Sequence, residues 1–368
     1  MKRPYTCISS CCNRAIAQKA YGQDPVQVLE VEERGIPSSA SPGHVVIRLN
    51  VRCVLLYDLV VVRDSHLQHV ITTRDIHDKE NCIRGDVDLK SSDFKQRAPV
   101  PGLEGCGRVY KIGEGVTKYT PGQRVVPILF WDYLNAKGQG AWQDYVEVAE
   151  HDVLPVPDSI SDEVAAQFVM NECAVYGALV DLQIPKGEWL LQTAANSNFG
   201  RQTIQLAKHW GIKTINIVRR DDLVEELKAL GADVVINSSK TDVLASVKKI
   251  TGDKGVYGAI DAVSGTMTKT VAACVRDGGQ VFMVGELSGT DLVLSTIDLL
   301  REVSIRYWSI TSVFQAERRN EVAKDVWKLL EDKIISPLLG KSYELTKFKD
   351  AIDDLEVQKS GGRILLIG

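Results

Sequence analysis

The sequence predicts an α/β protein, in which a β-rich, barrel-like domain is combined with a doubly wound parallel sheet. Three observations carry that expectation. Up to about residue 155, short apolar runs are separated by turn chemistry. Between 189 and 284, short apolar strands alternate with helical segments, as they do when parallel strands are joined by crossover helices. With 368 residues, the chain is long enough for two domains.

The elements follow in order. An apolar run at 45–51 comes after the turn signal Ser41-Pro42-Gly43. Further runs at 105–112 and 124–129 are separated by Gly113-Glu114-Gly115 and Pro121-Gly122, which favour tight turns. A strand is expected at 189–193. Residues 203–210 have helical spacing and stop at Gly211. A second strand at 214–218 leads to a helix at 223–230 closed by Gly231, and a third strand occupies 234–236. Then come a helix at 244–250, a strand at 256–262, a helix at 266–276 and a strand at 280–284. Beyond them, 303–308 reads as a strand, 321–331 as an amphipathic helix and 363–367 as a buried strand.

Composition narrows the function classes. The chain is 44% hydrophobic and 25% charged, with 44 basic against 48 acidic residues and a net charge of -4. No basic stripe of the kind nucleic acid requires is present, and no apolar stretch reaches the length of a membrane span. The 8 cysteines form no CxxC pairs, so neither a zinc knuckle nor a thioredoxin-like motif is indicated, and free thiols are expected. Residues 1–23 carry Lys2, Arg3, Arg14 and Lys19 and no acid, a composition resembling a mitochondrial transit peptide. On the other reading, 14–30 form the first strand pair of the fold. Cytoplasm and mitochondrial matrix are the two addresses left open.

The turn after the first strand of a doubly wound half is where phosphates bind, because backbone N–H groups and the following helix N-terminus offer partial positive charge. Here that turn is Ala194-Ala195-Asn196-Ser197-Asn198-Phe199-Gly200. A GxGxxG pattern is absent. Asn196, Ser197 and Asn198 offer side-chain donors, and asparagine tolerates the left-handed backbone that glycine would otherwise supply. About 20 residues on, NAD-binding proteins place an acid against the ribose 2′-hydroxyl. This chain has Arg219 and Arg220 there, and guanidinium groups grip a 2′-phosphate bidentately. The site is therefore expected to prefer NADPH, softened by Asp221 and Asp222 next door.

With these pieces the chain resembles the medium-chain dehydrogenase/reductase superfamily over nearly its whole length. The matching motifs are Gly102-Leu103-Glu104-Gly105-Cys106-Gly107-Arg108-Val109, Pro121-Gly122-Gln123-Arg124-Val125, Leu230-Gly231-Ala232-Asp233 and Gly278-Gly279-Gln280-Val281. Within the superfamily it is similar to the mitochondrial trans-2-enoyl-thioester reductases, through Gln192-Thr193-Ala194-Ala195-Asn196-Ser197, Lys213-Thr214-Ile215-Asn216-Ile217-Val218-Arg219 and Tyr307-Trp308-Ser309, and to quinone-oxidoreductase-like members.

The resemblance implies a GroES-like domain at 1–155 and 313–368 and a Rossmann domain at 156–312. It implies that Asn171 approaches the nicotinamide and that Asn196, Ser197, Asn198, Phe199 and Gly200 cover the pyrophosphate. Arg219 and Arg220 would hold the 2′-phosphate. Val284, Gly285, Tyr307 and Trp308 would flank the nicotinamide and the acyl pocket, and Arg363 would lie near the cofactor. Trp308 could instead be a plain core aromatic. A homodimer through edge strands at 280–284 and beyond is also implied.

No zinc is expected. Zinc-dependent members carry a His before the glutamate of the GHE motif, but Leu103 stands there. The early Cys position is Leu55, with Cys53 two residues away on the same strand face. Residues 127–142 hold no Cys, so the structural zinc lobe is missing. Catalytic zinc takes three protein ligands, which this pattern does not offer. The enoyl reductases also use a Tyr near the substrate's developing enolate. Its place falls within 91–94, where Ser92 and Phe94 stand but no Tyr. Tyr57, Tyr133 and Tyr145 are the substitutes considered. Tyr57 leads because it precedes Asp58, against the alternative of a buried strand aromatic. Residues 63–97 are longer and more charged than the family pattern.

The expected reaction is zinc-free hydride transfer from NADPH to an activated C=C bond of a 2-enoyl thioester or enone. Quinone reduction is the alternative within the same class, and an NADPH-binding protein with little turnover is the alternative outside it.

Overall fold

The computed structural model describes residues 12–63, 99–129, 139–289, 291–357 and 362–368. Residues 1–11, nearly all of the 63–97 segment, Ser92, Phe94 and Tyr133 lie outside the described residues.

Along the chain run β1 (Asn13–Gln18), β2 (Leu29–Arg34), β3 (His44–Val54), α1 (Leu56–Arg63), β4 (Gly105–Ile112), β5 (Arg124–Pro127), β6 (Tyr145–Ala149) and β7 (Val153–Pro155). A π-helical turn at Phe168–Glu172 leads into α2 (Cys173–Leu182), followed by β8 (Trp189–Gln192), α3 (Asn198–Trp210), β9 (Lys213–Val218), α4 (Val224–Leu230) and β10 (Val234–Asn237). Next come α5 (Val243–Thr251), β11 (Val256–Asp261), α6 (Thr266–Cys274), β12 (Val275–Met283), β13 (Ser304–Tyr307) and α7 (Arg319–Glu331). The chain ends with β14 (Leu339–Glu344), α8 (Phe348–Glu356) and β15 (Arg363–Ile367).

Two compact units result, one made of Met1–Val169 and Leu338–Gly368, the other of Met170–Pro337. The sequence placed the junctions at 155/156 and 312/313, and both fall later. Arg124 holds 156–169 in the first unit: its guanidinium donates to Pro157 O at 3.2 Å, to Ile160 O and to Asp162 Oδ1 at 2.9 Å. Residues 313–337 stay in the second unit because α7 packs on α2, where Tyr176 Oη donates to Asp325 Oδ2 at 2.7 Å.

In the first unit, a seven-stranded sheet runs β14-β15-β3-β4-β5-β7, with β6 also paired to β3, and β1 and β2 form a separate antiparallel pair. Ile16, Ile47, Leu49, Leu59, Trp142 and Phe348 form part of its core. Each such fully buried side chain contributes about 1.5–3 kcal/mol through removal of apolar surface from water.

The second unit is a six-stranded sheet in the order β10-β9-β8-β11-β12-β13, with every neighbouring pair parallel. Leu191, Ile215, Ala259 and Val281 sit in its core. Strand order reverses between β8 and β11, so a crevice is expected outside the carboxyl ends of these two strands. The first residues of β12 were expected to end a helix at 266–276. Instead α6 stops at Cys274 and Val275 already pairs with Val256.

Candidate cofactor site

The loop after β8 differs from its expected form in two ways. Ser197 caps α3: its backbone is extended and its Oγ accepts the Gly200 N–H at 3.0 Å. The helix therefore begins at Asn198, and Asn198, Phe199 and Gly200 form its first turn rather than a loop. The left-handed position is Ala194, with φ +49, not one of the asparagines. A non-glycine there is strained by contact of Cβ with the backbone, so the surrounding bonds must hold it.

Those bonds can be named. Thr193 Oγ1 donates to Asp261 Oδ1 at 2.8 Å and accepts the Ala262 N–H at 2.9 Å. Asp261 is fully buried and also accepts from Thr268 Oγ1 at 2.7 Å and from Val263 N at 2.9 Å. One carboxylate thus joins the ends of β8 and β11 to the first turn of α6. On the other side, Arg201 Nε donates to Asn196 O at 3.0 Å and its Nη1 to Glu226 Oε1 of α4 at 2.7 Å. That bond holds the Glu226 carboxyl below its ordinary range. Neither Asp261 nor Arg201 was singled out from the sequence, since a buried Asp at a strand end and an Arg inside a helix carry no local motif.

Gly200 has a packing role. A Cβ there would come 2.7 Å from both Cα and O of Ala195. The first turn of α3 lies directly on the loop, as the last glycine of a dinucleotide fingerprint permits.

At the end of β9, the two arginines are exposed and differ in their surroundings. Arg220 Nε lies 3.6 Å from Asp222. Arg219 has no ion pair among the described residues, and its carbonyl accepts from Ser239 Oγ at 3.2 Å. Asp221 is turned away to Lys240 and Asn237. Of the two acids expected to soften the basic pair, Asp221 is therefore engaged elsewhere, while Asp222 stays beside Arg220.

Val284 and Gly285 lie just past β12. Val284 N donates to Asp261 O at 2.8 Å, and a Cβ at Gly285 would meet Ala262 O at 3.0 Å. Tyr307 closes β13 and is 42% exposed. Trp308 follows it and is buried. Its Nε1–H donates to Asp181 Oδ2 at 2.8 Å, so the indole is a hydrogen-bonded core anchor and its N–H is committed within the unit. Asn171 lies in the π-helical turn, buried, beside Glu172, whose Oε1 accepts from Gln202 Nε2 of α3 at 3.1 Å.

The remaining candidates belong to the first unit. Tyr57 is a half-buried residue of α1, not a strand aromatic. Tyr145 is buried in β6, stacked edge-on against Tyr110. Asp58 is fully buried, its oxygens accepting Leu55 N at 2.8 Å and Leu103 N at 3.1 Å. Burial pushes its carboxyl up to about 8, against those two amide donors and the nearby Arg363. The charge of Arg363 thus acts on Asp58. Cys53 Sγ donates to Ala166 O at 3.1 Å. Among the described residues, no three His, Cys, Asp or Glu side chains converge on a metal position.

Known proteins show the same two-part organisation. Residues 41–158 match the alcohol dehydrogenase GroES-like domain, and residues 200–332 match the zinc-binding dehydrogenase family. A mitochondrial enoyl-[acyl-carrier-protein] reductase of Dictyostelium discoideum is 30% identical over 278 residues, covering 73% of this chain and 77% of that protein. A crystal structure described as an NADPH:quinone reductase of Bacillus thuringiensis superposes with a TM-score of 0.82 at 25% identity, over 98% of this chain and 100% of that one. Escherichia coli quinone oxidoreductase complexed with NADPH gives a TM-score of 0.77 at 21% identity, over 97% and 100%. The chain belongs to the medium-chain dehydrogenase/reductase superfamily and is homologous to the mitochondrial enoyl-[acyl-carrier-protein] reductases.

Proposed function

We propose that this protein is an NADPH-dependent reductase that works without zinc and reduces the activated C=C bond of a 2-enoyl thioester or enone. The observation carrying the cofactor is Arg219, an exposed guanidinium without an ion pair among the described residues, at the end of the strand beside β8. Gly200 and the capped start of α3 supply the matching phosphate seat. Asn196, Ser197, Asn198 and Phe199 would lie over the pyrophosphate, with Arg219 and Arg220 at the 2′-phosphate. Val284, Gly285 and Tyr307 would flank the nicotinamide, with Asn171 near it. Bound there, NADPH would supply the hydride. The chain's part would be to hold the cofactor seat rigid, a role the Asp261 and Arg201 bonds suit.

The acyl acceptor is supported by the Dictyostelium relative, and a quinone by the structural likeness to the B. thuringiensis protein. Quinone reduction is the second reading, because it needs no dedicated proton donor of the kind sought at 91–94.

A homodimer is part of the reading. β12 is paired on both sides and so supplies no edge; among the described residues the edge strand on that side of the sheet is β13. Leu287, Leu294, Ile297 and Leu300 are exposed between them, Leu300 at 82%, an apolar set that a second copy would cover.

The test is NADPH oxidation by the pure protein offered a trans-2-enoyl-CoA and a para-quinone in parallel. Turnover of the enoyl-CoA supports the first reading, and turnover of quinone alone the second. NADPH bound with neither acceptor reduced would overturn both.

A further inference from the structure

We propose that Asp181 is a positioning residue for the hydride acceptor; the inference rests on the reading that Tyr307 and the residues after it border the nicotinamide. Asp181 lies near the end of α2. Its Oδ2 accepts Trp308 Nε1–H at 2.8 Å, and its Oδ1 accepts Arg318 Nη2 at 2.7 Å, with Arg318 Nη1 at 3.4 Å from Oδ2. Trp308 and Arg318 are the two ends of the connection from β13 to α7. A single carboxylate therefore closes this connection at both ends.

The rest of the connection is seated on the same helix. Val313 and Phe314 are buried. A Cβ at Gly177, one turn before Asp181, would come 2.4 Å from Val313 Cγ2 and 2.9 Å from Trp308 Cζ2. At the strand end, Trp308 N donates to Met283 O at 2.8 Å. Trp308 is thus fixed by its backbone to β12 and by its ring to α2, and Tyr307 and Ser309 on either side of it have their placement set by Asp181. A charge-assisted bond to Arg318 and a short bond to an indole N–H are strong enough to hold that geometry. The loop after β9 and the Asp261 bonds lie elsewhere, so the phosphate end of NADPH is not held by Asp181.

The experiment compares Asp181→Ala, Trp308→Phe and the double variant with the wild type. Four quantities are read: NADPH Kd by nicotinamide fluorescence, KM and kcat for whichever acceptor the wild type reduces, and Tm. Loss of positioning lowers acceptor kcat/KM by about tenfold or more in each single variant, with a smaller loss in NADPH affinity. Because both variants break the bond between Trp308 and Asp181, and Asp181→Ala also removes the Arg318 pair, the double variant falls no further than Asp181→Ala alone. A lowered Tm with unchanged acceptor kinetics would overturn the proposal, as would multiplicative losses in the double variant. Trp308→Phe removes the N–H donor together with the five-membered ring but keeps a six-membered aromatic ring, so it serves if Asp181→Ala does not fold: unchanged acceptor kinetics then overturn the proposal. A wild type that binds NADPH but reduces neither acceptor overturns the functional reading, and this inference with it; a wild type that turns over while the variants match it overturns this inference alone.

Discussion

Asp58 accepts the backbone N–H of Leu103 at 3.1 Å with one oxygen while its other oxygen accepts that of Leu55. These are the two positions at which zinc-dependent relatives would be expected to place ligands. Here they carry leucines whose amides converge on one buried carboxylate. Its pKa lies at about 8, raised first by desolvation, from an ordinary 3.8. Between those values the folded chain holds one proton more than the unfolded chain, so this group makes stability fall as pH rises. Its destabilising contribution is absent below about pH 4 and complete above about pH 8. We expect the Tm of wild type minus that of Asp58→Asn to fall steadily from pH 5 to pH 8. A difference that stays constant over that range would mean Asp58 does not titrate there.

The two arginines after β9 should contribute unequally. Arg219→Ala should weaken NADPH binding by about 10- to 100-fold, the loss of charged hydrogen bonds of about 1.5–3 kcal/mol, and leave NADH binding nearly unchanged. Arg220→Ala should do less, because Arg220 is shared with Asp222. Calorimetric titration with both nucleotides decides this, and equal losses for NADPH and NADH would refute the 2′-phosphate assignment.

Gly200→Ala should be harmful although alanine favours helices. The added methyl meets Cα and O of Ala195 at 2.7 Å, and backbone cannot yield as a side-chain tip can. Overpacking of this kind costs about 1–3 kcal/mol. Urea unfolding should show that loss, together with weaker NADPH binding as the loop is pushed outward.

Thr193→Val keeps the shape of the side chain but removes its hydroxyl. The Ala262 amide then loses its acceptor, and Asp261 loses one donor, a cost of about 1–3 kcal/mol for a buried group left unpaired. NADPH affinity should fall with stability, since Ala194 at φ +49 follows directly. Unchanged affinity in a destabilised variant would show that the loop holds its shape without the Asp261 network.

Leu300→Glu and Ile297→Glu should yield monomers. Light scattering of the wild type and of the double variant measures this directly, and a wild type that is already monomeric would dispose of the dimer.

Local signals made much of the fold legible. Turn residues delimited β3, β4 and β5, and β4 and β15 fall where their apolar runs lie. The helix-stopping glycines at 211 and 231 both have left-handed backbone at the ends of α3 and α4. Two arginines in place of the acid after β9 were equally plain, because charge at a fixed offset from a strand is a local property. The helical character of Tyr57 was missed because Leu-Tyr-Asp-Leu-Val-Val-Val reads as a strand by composition, and propensity is a weak prior against tertiary packing.

By itself, the sequence determined the order of most strands and helices of the second unit, and it offered the turn expected to bind phosphate and the expected preference for a 2′-phosphate. Each depends on periodicity or on residues close together in the chain. Tertiary structure alone decided which residues hold those features in place. Asp261 meets Thr193, 68 positions away, and Asp181 meets Trp308 across 127. It also put the left-handed turn on Ala194 rather than on an asparagine. A buried carboxylate takes whichever donors the fold brings within about 3 Å, and only packing determines which they are.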